Sequence, residues 1–261
     1  MIDMPRGAKD SCASRIKHIR HYQKMIEKNV FQTWHTRDLP VKIQKRIDIW
    51  RKLNPDYKYH LFLDAEIDAF VHDHFPGAIS EAYDRLNIIV AKTDFWRYLV
   101  LYKYGGVYLD IDSCINRPLN TLIRETDEAI ITAEKNPSMF VQWCLIFKSG
   151  HPILKRAIDL TVENIMENRY PDDIIRMTGP GVFSDAIQQC YHSKYDAYIG
   201  HHLIVIDTED EFETVEGVKC RVFGIDYNKF MTFKVKDAPD LYVSKTHWSV
   251  DSKNKPLLRN P

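Results

Sequence analysis

Gly105-Gly106-Val107-Tyr108-Leu109-Asp110-Ile111-Asp112 reads as a sharp turn running into a strand. In extended conformation Val107, Leu109 and Ile111 point to one face, and Tyr108, Asp110 and Asp112 to the other. The first face is apolar and wants a core. The second sets two carboxylates about 6.6 Å apart along the backbone, beside a phenolic hydroxyl. Like charges so close repel one another and are costly to desolvate unless a cation lies between them. A hard divalent ion with oxygen ligands answers both costs, and such an ion commonly holds a diphosphate. Two aspartates that simply face water at a strand end are the alternative, and the pair alone does not decide between them.

Upstream, Val90-Ala91-Lys92-Thr93-Asp94-Phe95-Trp96-Arg97-Tyr98-Leu99-Val100-Leu101-Tyr102-Lys103-Tyr104 repeats its apolar side chains at helical spacing. The paired glycines after it suit a helix end followed by a tight turn. Asp94 and Arg97 stand three apart, so they share one helix face that leads straight into the acidic strand. An ordinary surface ion pair of small energetic worth is the plainer account of them.

The pattern Ala91-x-x-Asp94-x-x-Arg97-Tyr98-x-x-Leu101-x-x-x-Gly105-Gly106-x-Tyr108-x-Asp110-x-Asp112 resembles the signature of the DXD-motif glycosyltransferases. That family includes Golgi mannosyltransferases, bacterial capsule enzymes and, more distantly, glucosylating toxins. Asn29-Val30-Phe31-Gln32-Thr33-Trp34-His35 is similar to the family's opening strand, and Thr246-His247-Trp248 to its closing His-Trp element. Thr178-Gly179-Pro180-Gly181 resembles a Gly-Pro turn placed before a late helix. The likeness reaches from Asn29 to Trp248.

The resemblance implies a GT-A-like α/β fold: one domain, a mostly parallel sheet flanked by helices, and a small added antiparallel sheet. It implies a metal-dependent hexosyltransferase using a nucleotide sugar, GDP-mannose first and a UDP-hexose next, with retention of anomeric configuration. The acceptor is a glycan, lipid or protein. Asp112 is then a direct ligand of Mn²⁺ or Mg²⁺, Asp110 is shared between metal and ribose, and His247 completes the site or touches the diphosphate. Asp94 accepts hydrogen bonds from sugar hydroxyls, and Arg97 orients it or reaches the donor as a planar fork of N–H groups. Gln32, Thr33 and Trp34 line the nucleoside pocket, with Trp34 as plain core the alternative. Tyr108 packs on ribose or sugar, or else fills the sheet's second face. Trp248 closes over the donor. Asp185 faces the acceptor side or steadies the cationic sugar, against the duller account of a surface Asp in the first turn of a helix.

The rest of the chain sets bounds. Its 261 residues suffice for one sizeable α/β domain. Lys plus Arg balance Asp plus Glu at 36 each, so no global charge argues for nucleic acid. Five scattered cysteines without a Cys-x-x-Cys pair suit buried thiols in a reducing compartment. No apolar run approaches the roughly 20 residues of a transmembrane helix, so the expectation is a cytoplasmic, soluble enzyme, or a Golgi-lumenal one whose anchor has been removed. Residues 1–28 are expected as a basic helical extension with a thin apolar stripe that allows peripheral membrane contact. Residues 29–248 form the transferase domain, and 249–261 a tail. The polar segment 245–261 is expected to be mobile until donor binds. Strands are expected at 29–35, 57–63, 128–133, 141–147 and 203–207, and helices at 41–53, 152–167 and 180–190. Beyond 207 the chain reads as irregular.

Two other functions compete. A metal-dependent phosphatase also places Asp-x-Asp after an apolar strand and wants a later acidic pair, for which Asp172-Asp173 is available. A non-catalytic nucleotide-sugar-binding protein would share the pocket.

Overall fold

The computed structural model describes residues 25–134, 139–191, 210–224, 231–232 and 255–259. The strands are β1 (Asn29–Thr33), β2 (Lys58–Phe62), β3 (Gly106–Leu109), β4 (Cys114–Ile115), β5 (Ala129–Thr132), β6 (Cys144–Phe147), β7 (Asp210–Glu213), β8 (Lys219–Phe223) and β9 (Met231–Thr232). The helices are α1 (Val41–Leu53), α2 (Asp64–His74), α3 (Ala78–Arg85), α4 (Ile89–Tyr104), α5 (Pro152–Met166), α6 (Ile174–Met177) and α7 (Pro180–Cys190).

Seven strands form one sheet in the order β2-β1-β3-β6-β5-β8-β7, and β4 with β9 makes a separate antiparallel pair. Five of the seven run one way, while β6 and β7 run against them. The α/β class, the predominance of one strand direction and the small added sheet are as expected.

Strand period decides the two cores. Val30, Val107, Leu109, Cys144 and Ile146 pack on one face with Ile43, Ile47 and Trp50 of α1. Their neighbours Phe31, Tyr108, Leu145 and Phe147 pack on the other with α2 to α5 and α7. Each strand thus feeds both layers in turn. Helix α4 is apolar nearly all round and is correspondingly buried from Ala91 to Leu101, save Thr93. Burial of α4 removes the surface-pair account of Asp94 and Arg97.

The double glycine is required by sterics. Gly105 and Gly106 have φ of 60° and 114°, and a Cβ on Gly106 would stand 2.5 Å from the Asn29 carbonyl oxygen. That carbonyl belongs to β1, beside which β3 runs, so it has no freedom to withdraw. At the other end of α1, Asn54 stops the helix: its Nδ2 donates to the Trp50 carbonyl at 2.8 Å, and its Oδ1 accepts the Leu119 amide at 2.5 Å.

Two expectations are corrected. Among the described residues beyond 207, β7 and β8 form a hairpin about Gly217 (φ 76°), with β8 parallel to β5, where an irregular chain was expected. Phe212, Cys220 and Val222 point inward while Glu211, Glu213 and Lys219 are exposed, and Arg221 is buried in an ion pair with Asp127, so the segment looks polar in sequence. Of the segment 245–261 expected to be mobile, only residues 255–259 are described, and they pack against the domain. Leu257 and Leu258 are buried, and the Leu257 carbonyl accepts the Asn87 amide at 2.8 Å. Residues 1–24 and the expected strand at 203–207 lie outside the described residues.

His151 caps α5, its Nδ1 accepting from the Ile153 amide at 3.2 Å. Burial, assisted by Lys148, pushes the imidazole pKa down to about 3. Between about pH 3 and 6.5 the unfolded chain therefore takes a proton that the folded one refuses, so stability falls with falling pH by roughly 1.4 kcal/mol per unit. Raised carboxyl pKa values act with the opposite sign. His151→Asn keeps a cap and removes the titration, so denaturant melts at pH 7 and 5 should show a shallower acid loss than wild type. Equal losses would show that His151 is not the acid-labile group.

Candidate active site

Strand β3 ends at Leu109, so Asp110 and Asp112 are not strand neighbours on one pleat. They belong to a turn in which the Ser113 amide donates to the Asp110 carbonyl at 2.9 Å. The alternation still carries Asp110 to the same side as Tyr108, whose hydroxyl donates to Asp110 Oδ1 at 2.6 Å. Two backbone anchors hold this corner. The Asp110 amide donates to the Trp143 carbonyl at 2.8 Å, and its carbonyl accepts Gln32 Nε2 at 3.2 Å. The turn thus sits at the carboxyl ends of the parallel pair β1 and β3, where open α/β sheets bind ligands.

Arg97 is the hub. Its guanidinium lies 2.8 Å from Asp94 Oδ1 and 3.5 Å from Asp110 Oδ1, donates to the Gln142 carbonyl at 3.0 Å, and sits 4.6 Å above the Tyr108 ring centroid. The Arg97 and Asp94 side chains are 5% and 9% exposed, against 27% for Asp110, so Asp110 is the member most open to a ligand. Burial pushes the Asp94 carboxyl up to about 6 against the pull of Arg97. It raises Asp110 too, with Arg97 and the Tyr108 hydroxyl opposing. Burial also works against the Arg97 charge, but Tyr108, Asp110 and Asp94 outweigh it and keep the guanidinium protonated.

Behind Asp94 the Gly-Pro turn closes the floor. Thr178 Oγ1 donates to Asp94 Oδ2 at 3.3 Å. The Tyr98 hydroxyl reaches the Thr178 and Gly179 carbonyls at 3.1 and 3.2 Å. Gln142 Nε2 donates to the Tyr98 hydroxyl and, at 3.1 Å, to the Thr178 carbonyl. Sequence reasoning missed Gln142 and the hydrogen bonding of Thr178 and Tyr98. The buried amide side chain of Gln142, in a segment read as an apolar strand, was the available signal.

Five buried polar atoms at this end of the sheet have no hydrogen-bond partner among the described residues: Gln32 Oε1, Thr33 Oγ1, Trp34 Nε1, Arg97 Nε and Ser113 Oγ. Each such atom costs about 1–3 kcal/mol if left alone. Gln32, Arg97 and Ser113 also bond Asp110 through their other atoms, so a polar ligand at Asp110 fits these three orphans. Trp34 is half-buried against the α1 core and follows the end of β1. Tyr108 is 1% exposed, so its ring is core and its hydroxyl is what serves the cleft.

The two carboxylates offer hard oxygen donors, and among the described residues no group of three or more His, Cys, Asp or Glu stands ready for a metal. A pair of carboxylates is a donor set that Mg²⁺ or Mn²⁺ takes when phosphates and water fill the rest of its sphere. Asp185 does not join the Arg97 cluster among the described contacts. It is exposed on α7, past the first turn, and burial raises its carboxyl while Arg176 lowers it. His247 and Trp248 lie outside the described residues. Asp173 is the N-cap of α6, its Oδ1 accepting the Arg176 amide at 3.1 Å, which accounts for it without a phosphatase role.

Residues 40–129 match the family described as "Glycosyltransferase sugar-binding region containing DXD motif". The chain is similar to the initiation-specific alpha-1,6-mannosyltransferase of Candida albicans, at 28% identity over 205 residues, covering 63% of this chain and 53% of that one. It is similar to inositol phosphoceramide mannosyltransferase 3 of Schizosaccharomyces pombe at 30% identity, covering 70% and 51%. The chain spans about half the length of these curated relatives. Among solved structures, PaToxG glycosyltransferase shares the fold, with a TM-score of 0.54 at 23% identity over 64% of this chain and 70% of that one. No helix among the described residues is long and apolar enough to cross a membrane.

Proposed function

We infer that this chain, which carries the DXD-containing sugar-binding region of glycosyltransferases at residues 40–129, transfers a hexose from a nucleotide sugar to an acceptor. The observation that carries this reading is the Asp94–Arg97–Asp110 cluster at the carboxyl ends of β1 and β3, ringed by polar atoms awaiting partners. Mannose from GDP-mannose is the favoured donor because mannosyltransferase names recur among the relatives; a UDP-hexose is next. One of those names specifies a lipid acceptor, inositol phosphoceramide, so the acceptor here is a lipid, a glycan or a protein.

Transfer breaks the bond between the anomeric carbon and a phosphate oxygen, and the sugar gains oxocarbenium character on the way. Asp112, with Asp110 beside it, would hold Mn²⁺ or Mg²⁺, which supplies positive charge against the departing diphosphate. Arg97 fixes Asp110 and Asp94 in place and adds a positive field at the same spot. Asp94 has lone pairs left on both oxygens after Arg97 and Thr178 are served, and these take sugar hydroxyls. Gln32, Thr33 and Trp34 bind base and ribose, supplying remote binding energy to orient the reacting carbon. Asp185, His247 and Trp248 remain acceptor-side and closing-segment assignments within this reading. Retention of configuration rests on the family resemblance, and proton NMR of the first-formed product anomer checks it.

A panel of GDP- and UDP-hexoses, incubated with Mn²⁺ and no acceptor, tests the function. Slow hydrolysis of GDP-mannose ahead of the rest is expected. Donor binding without turnover, with or without added acceptor glycans and lipids, would favour a binding protein instead.

A further inference from the structure

The chain is neutral overall, yet α1 carries Lys42, Lys45, Arg46, Arg51 and Lys52 against one acid, Asp48. Its inward arc is fully spent on Ile43, Ile47 and Trp50. The opposite arc exposes Val41 (69%), Ile49 (57%) and Leu53 (38%), three of the eight exposed large apolar side chains among the described residues. At 100° per residue these three fall within a 120° arc that also holds Lys42, Lys45 and Lys52, all exposed. Aliphatic and cationic side chains therefore alternate over one continuous surface, with Asp48 at its rim, where Gln44 Nε2 donates to it at 2.8 Å.

Such interleaving distinguishes between possible occupants. A protein partner desolvates the centre of its contact and leaves charges at the edge. Here a lysine stands within one turn of every exposed aliphatic, which would leave cations at the centre. An anionic bilayer surface accepts the mixture: aliphatic tips enter the acyl boundary, while lysine stems lie along apolar surface and lift their ammonium groups to the phosphates. We propose that the outer face of α1 is a peripheral docking surface for a bilayer rich in anionic phospholipid. The helix starts eight residues after Thr33, so its leading end lies at the same edge of the sheet as the Asp110 turn. Docking through α1 would hold the cleft beside the membrane rather than facing bulk solvent.

The test is cosedimentation of the full chain with vesicles, which needs no donor and is independent of the reaction assigned above. Phosphatidylcholine vesicles containing phosphatidylserine should sediment the protein at least tenfold better than phosphatidylcholine alone, and 0.5 M salt should weaken this. Each cation near such a surface is worth about fivefold in partitioning, so Lys42→Gln/Lys45→Gln/Lys52→Gln should cut binding about a hundredfold. Ile49→Ser should cut it severalfold without changing the salt slope. None of these residues touches the cleft, so the thermal midpoint and donor hydrolysis should stay as in wild type. Wild-type protein that ignores phosphatidylserine would overturn the proposal. Retained binding by the triple variant would also overturn it, and would place any membrane contact on another part of the chain.

Discussion

Asp112→Ala should lower transfer by roughly 10³-fold, the scale of losing a principal electrostatic stabiliser of a departing anion, while the protein stays folded. The prediction is sharper for Asp112 than for Asp110 because the two carboxylates are wired differently. Arg97 neutralises Asp94 and Asp110, and Tyr108 donates to Asp110, so Asp110→Ala also strips a buried cation of a partner. Asp112 acts on this cluster by repulsion, adding to the upward shift of the Asp110 carboxyl. Its removal should leave the Arg97 pairing intact and the Asp110 carboxyl more readily ionised. Turnover with Mn²⁺, turnover in excess chelator, and isothermal titration of Mn²⁺ with the nucleoside diphosphate decide the matter. Wild type should be silent in chelator and recover on adding Mn²⁺. The Asp112→Ala protein should bind the nucleoside diphosphate equally with and without metal. A wild type that is fully active in excess chelator would remove the metal assignment for both aspartates.

The acidic turn was readable because Val107, Leu109 and Tyr108 obey strand period up to the last residue of β3. Period says nothing of where pairing stops. The two aspartates fall one and three residues beyond it, so their geometry comes from the turn closed by Ser113 rather than from the pleat. Helix α1 was legible to its bounds, since Pro40 and the Asn54-Pro55 step leave the pattern no room to run on. The burial of Asp94 and Arg97 was not legible, because a helix enclosed on nearly every side has no polar stripe to orient it. Gln142 escaped for another reason. Its carbonyl and amide act across 45 residues of chain, on Arg97 and Tyr98, and no local spacing records such a contact. The β7–β8 hairpin was lost to its charges, and its sheet partner β5 lies about 90 residues earlier.

Arg97→Ala should combine the largest stability loss with a severe loss of turnover, and the two can be separated. Removing the guanidinium leaves Asp94 and Asp110 facing each other with burial already pushing both carboxyls toward the neutral form. Breaking one side of a buried ion pair costs about 3–5 kcal/mol, and here two carboxylates lose the same partner. The cost should shrink as pH falls toward 5, because a protonated Asp94 no longer needs the cation. Chemical denaturation of the variant at pH 7.5 and 5.5 should therefore show a smaller deficit against wild type at the lower pH. Arg97→Lys restores charge but not the fork that spans Asp94, Asp110 and the Gln142 carbonyl. It should regain much of the stability and little of the turnover. Asp94→Asn gives the complementary reading: it keeps the shape and loses the charge. If Asp94 serves the sugar, this variant should bind the free nucleoside diphosphate nearly as well as wild type while its kcat on the full donor falls at least about tenfold. Equal weakening of both ligands would assign Asp94 to holding Arg97 alone, and the sugar contacts would then have to come from elsewhere in the cleft.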